Sequence, residues 1–188
     1  MNTKSLVNEH DERIERFVEY LEKLEREGNR AALAALRRSL GQPIGLAGEA
    51  HRHVLWSNPS IREEADFYLI AGLFALHPQH WRQNEEEKRS SNFGASFARL
   101  QAAVDSSSIE KRFVALLNSH EDDLAEQLRH AVSLLKSKDI PVDWVQLLRD
   151  LRGWRSESRF VQRRWARAFW GGAHPEDGSP LISTSKIN

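Results

Sequence analysis

The sequence predicts an all-α protein of about eight or nine helices arranged in two packed helical bundles. Leucine and alanine together contribute 41 of the 188 residues, whereas valine, isoleucine and threonine contribute 19; the first pair favours helices and the second group favours strands. Apolar residues recur at three- and four-residue spacing, and no segment shows the sustained alternation of a half-buried strand. With 40% apolar residues, the chain can close a core of this kind.

Start and stop signals divide the chain into predicted helices. The first stops at Gly28, Ser60 and Glu63 form a capping box before the most apolar helix, and Pro141 has the position of a first-turn proline. Gly153 is expected to bend or interrupt the chain before the last helix. The predicted helices span residues 9–27, 29–40, 49–56, 61–76, 93–104, 109–118, 121–137, 142–152 and 156–170.

Charge is distributed unevenly along a chain whose net charge is zero. Residues 1–87 carry a balance of −4, residues 88–170 carry +5 and residues 171–188 carry −1. We therefore predict an N-terminal helical lobe, a basic C-terminal helical bundle and a flexible tail, with a mobile polar loop near 77–91. An acidic half joined to a basic half suits a protein that docks on a partner and presents another face to an anion.

The search for catalytic chemistry finds no candidate. The chain has no cysteine, its histidines lack the spacing of a metal site, and its glycine cluster at 41–48 lacks the Lys-Ser/Thr of a phosphate loop. We expect no enzyme activity, no metal and no cofactor. The first 16 residues are polar and acidic, and the longest apolar run is half the length of a membrane span, so we expect a cytoplasmic protein with no membrane contact.

Arginines are concentrated at one end of the chain, where residues 149–167 carry seven bases against two acids. If this stretch were one continuous helix, its bases would occupy an arc of about 120° opposite an apolar stripe. Such a face is either a solvated surface or a phosphate-binding surface. The arc holds Arg149, Arg152, Arg155, Arg159, Arg163 and Arg167, and the stripe opposite it holds Leu151, Trp154, Val161, Trp165 and Phe169.

Six tryptophans are many for a chain of 188 residues, and nucleobases stack well on indole rings. Most of them occupy apolar helical positions, which favours core packing over ligand binding. Trp81 is different, because it lies in the polar loop.

Five segments follow one another along the chain: YLIAGLFALHP at 68–78, GASFARL at 94–100, SIEKRFVALL at 108–117, LR at 128–129 and DW at 143–144. In this order they resemble the CasB family, the small subunit of the type I-E CRISPR interference complex, Cascade. The resemblance covers roughly residues 11–170 and depends on order and spacing rather than on a catalytic signature. Its most characteristic pieces are the Gly94-x-Ser96-x-x-Arg99 segment and the run from Ser108 to Trp154.

The resemblance implies a two-lobed, non-catalytic α-helical subunit. Such a protein, usually present in two copies, braces the R-loop formed by guide RNA and target DNA and holds the displaced DNA strand on a basic surface. Its implied partners are the other Cascade subunits, the CRISPR guide RNA, both DNA strands and another copy of itself. Bases at matching positions are implied to bind nucleic acid, with looser support for Arg155 and Arg159. These positions are Arg38, Arg99, Arg112, Arg129 and Arg149.

The sequence departs from the family pattern in two respects. The chain is neutral overall, and Asn118 and Glu121 occupy a region where positive charge is expected. The alternative function is a helical adaptor that binds only protein through the acidic face of the first helix. If the arginine face binds phosphate instead, reversing two of its charges is expected to weaken nucleic-acid binding and to leave the fold intact.

Overall fold

The computed structural model describes residues 3–81, 91–104 and 106–171, with the backbone alone for residues 3–8. The fold-class prediction is confirmed: within these ranges the chain forms nine α-helices, with 3-10 turns between α2 and α4. No helix in these ranges combines the length and hydropathy needed to cross a membrane. The helices are α1 (Thr3–Arg26), α2 (Arg30–Ser39), α3 (His51–Val54), α4 (Glu64–Leu76), α5 (Phe93–Val104), α6 (Ser107–Leu117), α7 (Glu121–Lys136), α8 (Trp144–Gly153) and α9 (Phe160–Trp170).

Most helix ends follow the predicted signals. Gly28 adopts a left-handed φ of 66° after α1. The first-turn position predicted for Pro141 is wrong, because α8 begins at Trp144 and is capped by Asp143, whose carboxylate accepts a hydrogen bond from the Gln146 amide at 2.8 Å. Helix α4 begins three residues later than predicted. There the Ser60 hydroxyl donates to the Glu63 carboxylate at 2.8 Å, so the two capping-box residues bind each other ahead of the helix rather than inside its first turn.

Buried side chains from both halves of the chain form one continuous core. Phe17 of α1 packs on Phe67 of α4 with ring centroids 4.8 Å apart, and Phe74 of α4 packs on Trp144 of α8 at 5.9 Å. The second contact joins the segments predicted as separate lobes, and the division into lobes at residue 87 stays a prediction. Residues 82–90 of the predicted loop and residues 172–188 of the predicted tail lie outside the described residues.

The beginning of the predicted loop is hydrogen-bonded to the segment that precedes α8. The Trp144 indole donates to the Gln79 carbonyl at 3.0 Å, and the Trp81 amide donates to the Val142 carbonyl at 2.9 Å. His77 lies 2.7 Å from the Ile140 carbonyl through its Nε2. These bonds anchor residues 77–81 against the C-terminal half.

Helices α5 and α9 cross at very close range. A Cβ added at Gly94 of α5 would lie 2.1 Å from the Trp165 carbonyl oxygen, so only glycine permits this approach. The Trp165 ring then packs on Phe93 at 5.1 Å and on Trp154 at 5.0 Å. This crossing positions α9 and the arginines that it carries.

Candidate nucleic-acid interface

The interruption predicted at Gly153 is confirmed, so residues 149–167 do not form the one continuous helix that the arc of arginines required. Helix α8 ends at Gly153 and α9 begins at Phe160, and Arg159 between them has a left-handed φ of 49°. A Cβ at Gly153 would meet the Phe160 ring at 2.4 Å, which shows how tightly the corner folds. The apolar half of the prediction is confirmed, because the stripe residues are buried. They are Leu151, Trp154, Val161, Trp165 and Phe169.

The α8 arginines are held by acids from distant parts of the chain. The Arg149 guanidinium donates to Glu15 at 2.7 Å and to Asp11 at 3.2 Å, and both acids lie on α1. Arg152 Nε lies 3.2 Å from a carboxylate oxygen of Glu63. The acidic face of α1 is therefore partly used inside the chain, where it fixes α8.

Glu63 is the centre of this charge cluster, with a side chain only 10% exposed. Arg13 donates to it at 2.8 Å, and a His10 ring nitrogen lies 2.6 Å from it. Burial raises the pKa of Glu63, but the hydrogen bond from Ser60 and the contacts with His10 outweigh burial and bring the pKa below its ordinary value. Glu63 is thus an ionised carboxylate whose partners come from α1, α8 and its own turn.

The remaining predicted arginines differ from one another. Arg155 forms an ion pair with Glu121 at the start of α7, the acid noted above as a departure from the family pattern. Arg159 donates to the Leu117 carbonyl at 2.5 Å. Arg163 is exposed on α9, and its side chain has no ion pair or hydrogen bond within the described part of the chain. The local excess of positive charge is therefore offset by acids that are distant in sequence.

We expect Arg152→Glu to lower the free energy of unfolding by about 1–3 kcal/mol, because it would place a second carboxylate beside buried Glu63. This revises the expectation that charge reversal leaves the fold intact. Arg163→Glu is the matched control and should change stability by less than about 0.5 kcal/mol. Urea denaturation of both variants checks the prediction, and equal stabilities would contradict a structural role for the Arg152 ion pair.

Three of the arginines singled out by the resemblance have few or no contacts within the part of the chain that the structure describes. Arg112 on α6 and Arg129 on α7 are both exposed, and neither guanidinium has an ion pair or hydrogen bond within the described ranges. Arg38 at the end of α2 is 66% exposed and lies 3.7 Å from Glu49, also an exposed side chain. An Arg129 nitrogen would lie 3.8 Å from a Cβ at Gly41, so α7 presents Arg129 beside the C-terminal end of α2.

Arg99 has another environment. Its guanidinium lies 3.7 Å from the centroid of the Trp81 ring, in a half-buried position. The sequence separates these residues by 18 positions, and no local pattern connects them. This cation–π contact gives the indole of the predicted loop its structural role.

We define the exposed arginines as Arg38, Arg112 and Arg129. They lie on α2, α6 and α7, and they combine exposure with weak or no pairing inside the described structure.

Two features of the interior were not predicted from sequence. One is the Glu63 charge cluster, and the other is Asp150, a fully buried carboxylate that pairs with Arg164 and accepts a hydrogen bond from the Trp165 indole. No cluster of three metal-ligating side chains occurs in the ranges that the structure describes.

The sequence and the fold both match known CRISPR-associated proteins. The family model for CRISPR-associated protein Cse2 matches residues 32–170. A Cse2 protein from Thermus thermophilus is 36% identical over 170 residues, which cover 87% of this chain and 93% of the relative. The chain belongs to the Cse2 family.

Solved structures of CRISPR-associated proteins match this chain in fold. CasB from Thermus thermophilus is 35% identical with a TM-score of 0.69, and the match covers 84% of this chain and 97% of CasB. A chain of a CRISPR RNA-guided surveillance complex is 29% identical with a TM-score of 0.69, over 85% of this chain and 92% of the other. The predicted resemblance to CasB is thereby confirmed.

Proposed function

We propose that this protein is the non-catalytic small subunit of a type I-E Cascade complex in the cytoplasm, and that its exposed arginines hold nucleic-acid phosphates. The observation that carries the proposal is the pair Arg112 and Arg129, two exposed guanidinium groups on neighbouring helices with no partner in the described residues. Membership of the Cse2 family and the likeness to a chain of an RNA-guided surveillance complex support it.

Sequence-independent phosphate contacts suit this task. Forming an R-loop exchanges a DNA duplex for a guide RNA–target hybrid of similar stability, so a few backbone contacts can decide whether the open state persists. Arginine pairs with phosphate through a planar fork of donors. The proposed ligands are the displaced strand and the guide–target hybrid, and the proposed protein partners are the other Cascade subunits and a second copy of this chain.

The arginine positions divide by their internal contacts. Arg149, Arg152, Arg155 and Arg159 have partners within the chain, so a phosphate would have to compete with those partners. Among the described residues, a phosphate displaces no strong internal partner when it binds Arg38, Arg112 or Arg129. We place the main nucleic-acid contacts on these three, with Arg163 as an additional exposed base and Arg99 supporting the surface through Trp81.

The proposal includes the absence of catalysis. We expect the purified protein to show no nuclease, ATPase or deaminase activity with Mg²⁺, Mn²⁺ or Zn²⁺. The sequence contains no recognisable nucleophile–base pair, and the acids Glu15, Glu63 and Asp150 are occupied in ion pairs with arginine. Release of labelled DNA fragments or phosphate over time checks this. A metal-dependent activity that co-purifies with the protein and disappears on mutation of an acidic pair would contradict it.

Omitting this protein from the reconstituted guide complex tests the proposed function. We expect target DNA to dissociate at least about 10-fold faster from the complex without it, because the open strand loses its phosphate contacts. Guide RNA binding should change much less. Filter binding of labelled target and labelled guide measures both, and equal retention of target with and without the protein would contradict the proposal.

A further inference from the structure

A groove of about 200 Å³ lies between α6 and α7 and is open to solvent. Its floor is made of buried side chains, Phe97 from α5, Leu116 from α6 and Ala131 from α7. Arg112 and His130 lie on its exposed rim, and half-buried Gln127 lines it as well. The apolar surface that the groove offers to solvent therefore comes from exposed Ala115 and half-buried Leu134, above this enclosed floor.

The polar side chains of the groove are available for a ligand. The side chains of Arg112, Gln127 and His130 have no hydrogen bond or ion pair within the described ranges. A guanidinium group binds phosphate, whereas an amide can both donate and accept a hydrogen bond at the edge of a base. The set combines an anion-binding group, an amide and an apolar floor within one groove.

The size of the groove limits the ligand. Pockets for drug-sized molecules measure about 300–1,000 Å³, and this groove is smaller. It suits one flat ring better than a longer ligand. Unpaired bases bind proteins by placing their rings against aromatic and aliphatic side chains while cations hold the adjacent phosphate.

We propose that the α6–α7 groove takes one unpaired nucleobase of the single strand that the exposed arginines hold. The base lies against Leu134 and Ala115, Gln127 contacts its edge, and Arg112 contacts its phosphate. This inference rests on the proposed function and adds to it a base-dependent contact, which pure phosphate binding would not produce. An apolar side chain of a protein partner is the competing occupant, and the experiment below separates the two.

Filling the groove tests the inference. Ala115 lines the groove from α6 and is exposed, so Ala115→Phe would occupy the space of the base without removing a charge. The control is Ala125→Phe, an exposed position on α7 about 180° away from Leu134 around the helix. Full-length variants are titrated with a single-stranded DNA and with an abasic strand of the same length, and circular dichroism monitors the fold.

We expect Ala115→Phe to weaken binding of the intact strand about 5-fold or more and to leave the abasic strand unaffected, because the introduced ring takes the space of the base. Ala125→Phe should affect neither strand. Equal weakening of binding to both strands would overturn the base contact. Unchanged binding of both strands would also overturn it and would assign the groove to an apolar side chain of a protein partner. The proposed function is tested independently of the base contact: it fails if Arg112→Glu combined with Arg129→Glu leaves the affinity for both strands unchanged.

A second variant keeps the test valid if Ala115→Phe disturbs the helix packing. Gln127→Ala removes the amide and leaves the groove open. We expect it to lower the ratio of intact-strand to abasic-strand affinity about 3-fold or more, the loss of roughly one hydrogen bond. An unchanged ratio would overturn the placement of the base edge against Gln127.

Discussion

Replacing Trp165 with alanine is expected to lower the free energy of unfolding by about 3–5 kcal/mol. The ring is fully buried and packs between Phe93 and Trp154. Its indole nitrogen donates to buried Asp150 at 2.5 Å. The substitution would therefore leave a cavity at the α5–α9 crossing and remove a hydrogen bond from a carboxylate that has no access to water.

Trp170→Ala in the same helix is the matched control. Trp170 is 37% exposed and contacts the rim of the same aromatic cluster, with its ring 4.9 Å from Phe169. We expect its replacement to cost about half as much or less, since less apolar surface is lost. Urea denaturation monitored by far-UV circular dichroism measures both variants, and equal losses would contradict the central position of Trp165.

Local patterns were sufficient to predict most of the secondary structure and the core. Gly28 marks a helix boundary through backbone freedom, which depends on neighbouring residues only. At α8 the boundary is marked by the cap Asp143 and not by the predicted Pro141. The apolar stripe that includes Trp154 and Trp165 was identified from spacing, because burial follows hydrophobicity even where the helix is interrupted.

The charge contacts could not be predicted in this way. Arg149 binds Asp11 and Glu15, more than 130 positions away in sequence, and Arg152 meets Glu63 only because α1, α4 and α8 pack together. The left-handed Arg159 separates α8 from α9, a backbone conformation that is rare for residues other than glycine. Arginine content by itself therefore does not identify a basic surface. The acids that pair with each arginine inside the chain have to be assigned first.

Combining Arg112→Glu with Arg129→Glu is expected to weaken binding of single-stranded DNA by at least about 10-fold, because two phosphate contacts become two repulsions. The fold should be unaffected, since both side chains are exposed and neither has an internal partner in the described ranges. Arg16→Glu combined with Arg26→Glu changes net charge equally at exposed positions on α1. This control variant should weaken binding far less.

The salt dependence of DNA binding by these variants tests the central claim most directly. Each phosphate contact to a single strand contributes about 0.7 to the slope of log affinity against log salt concentration. We predict that Arg112→Glu with Arg129→Glu lowers the slope by about 1.4 relative to the unmodified protein, whereas the α1 control preserves it. A slope unchanged by the α6–α7 substitutions would contradict phosphate binding by the exposed arginines and would favour a helical adaptor that binds only protein.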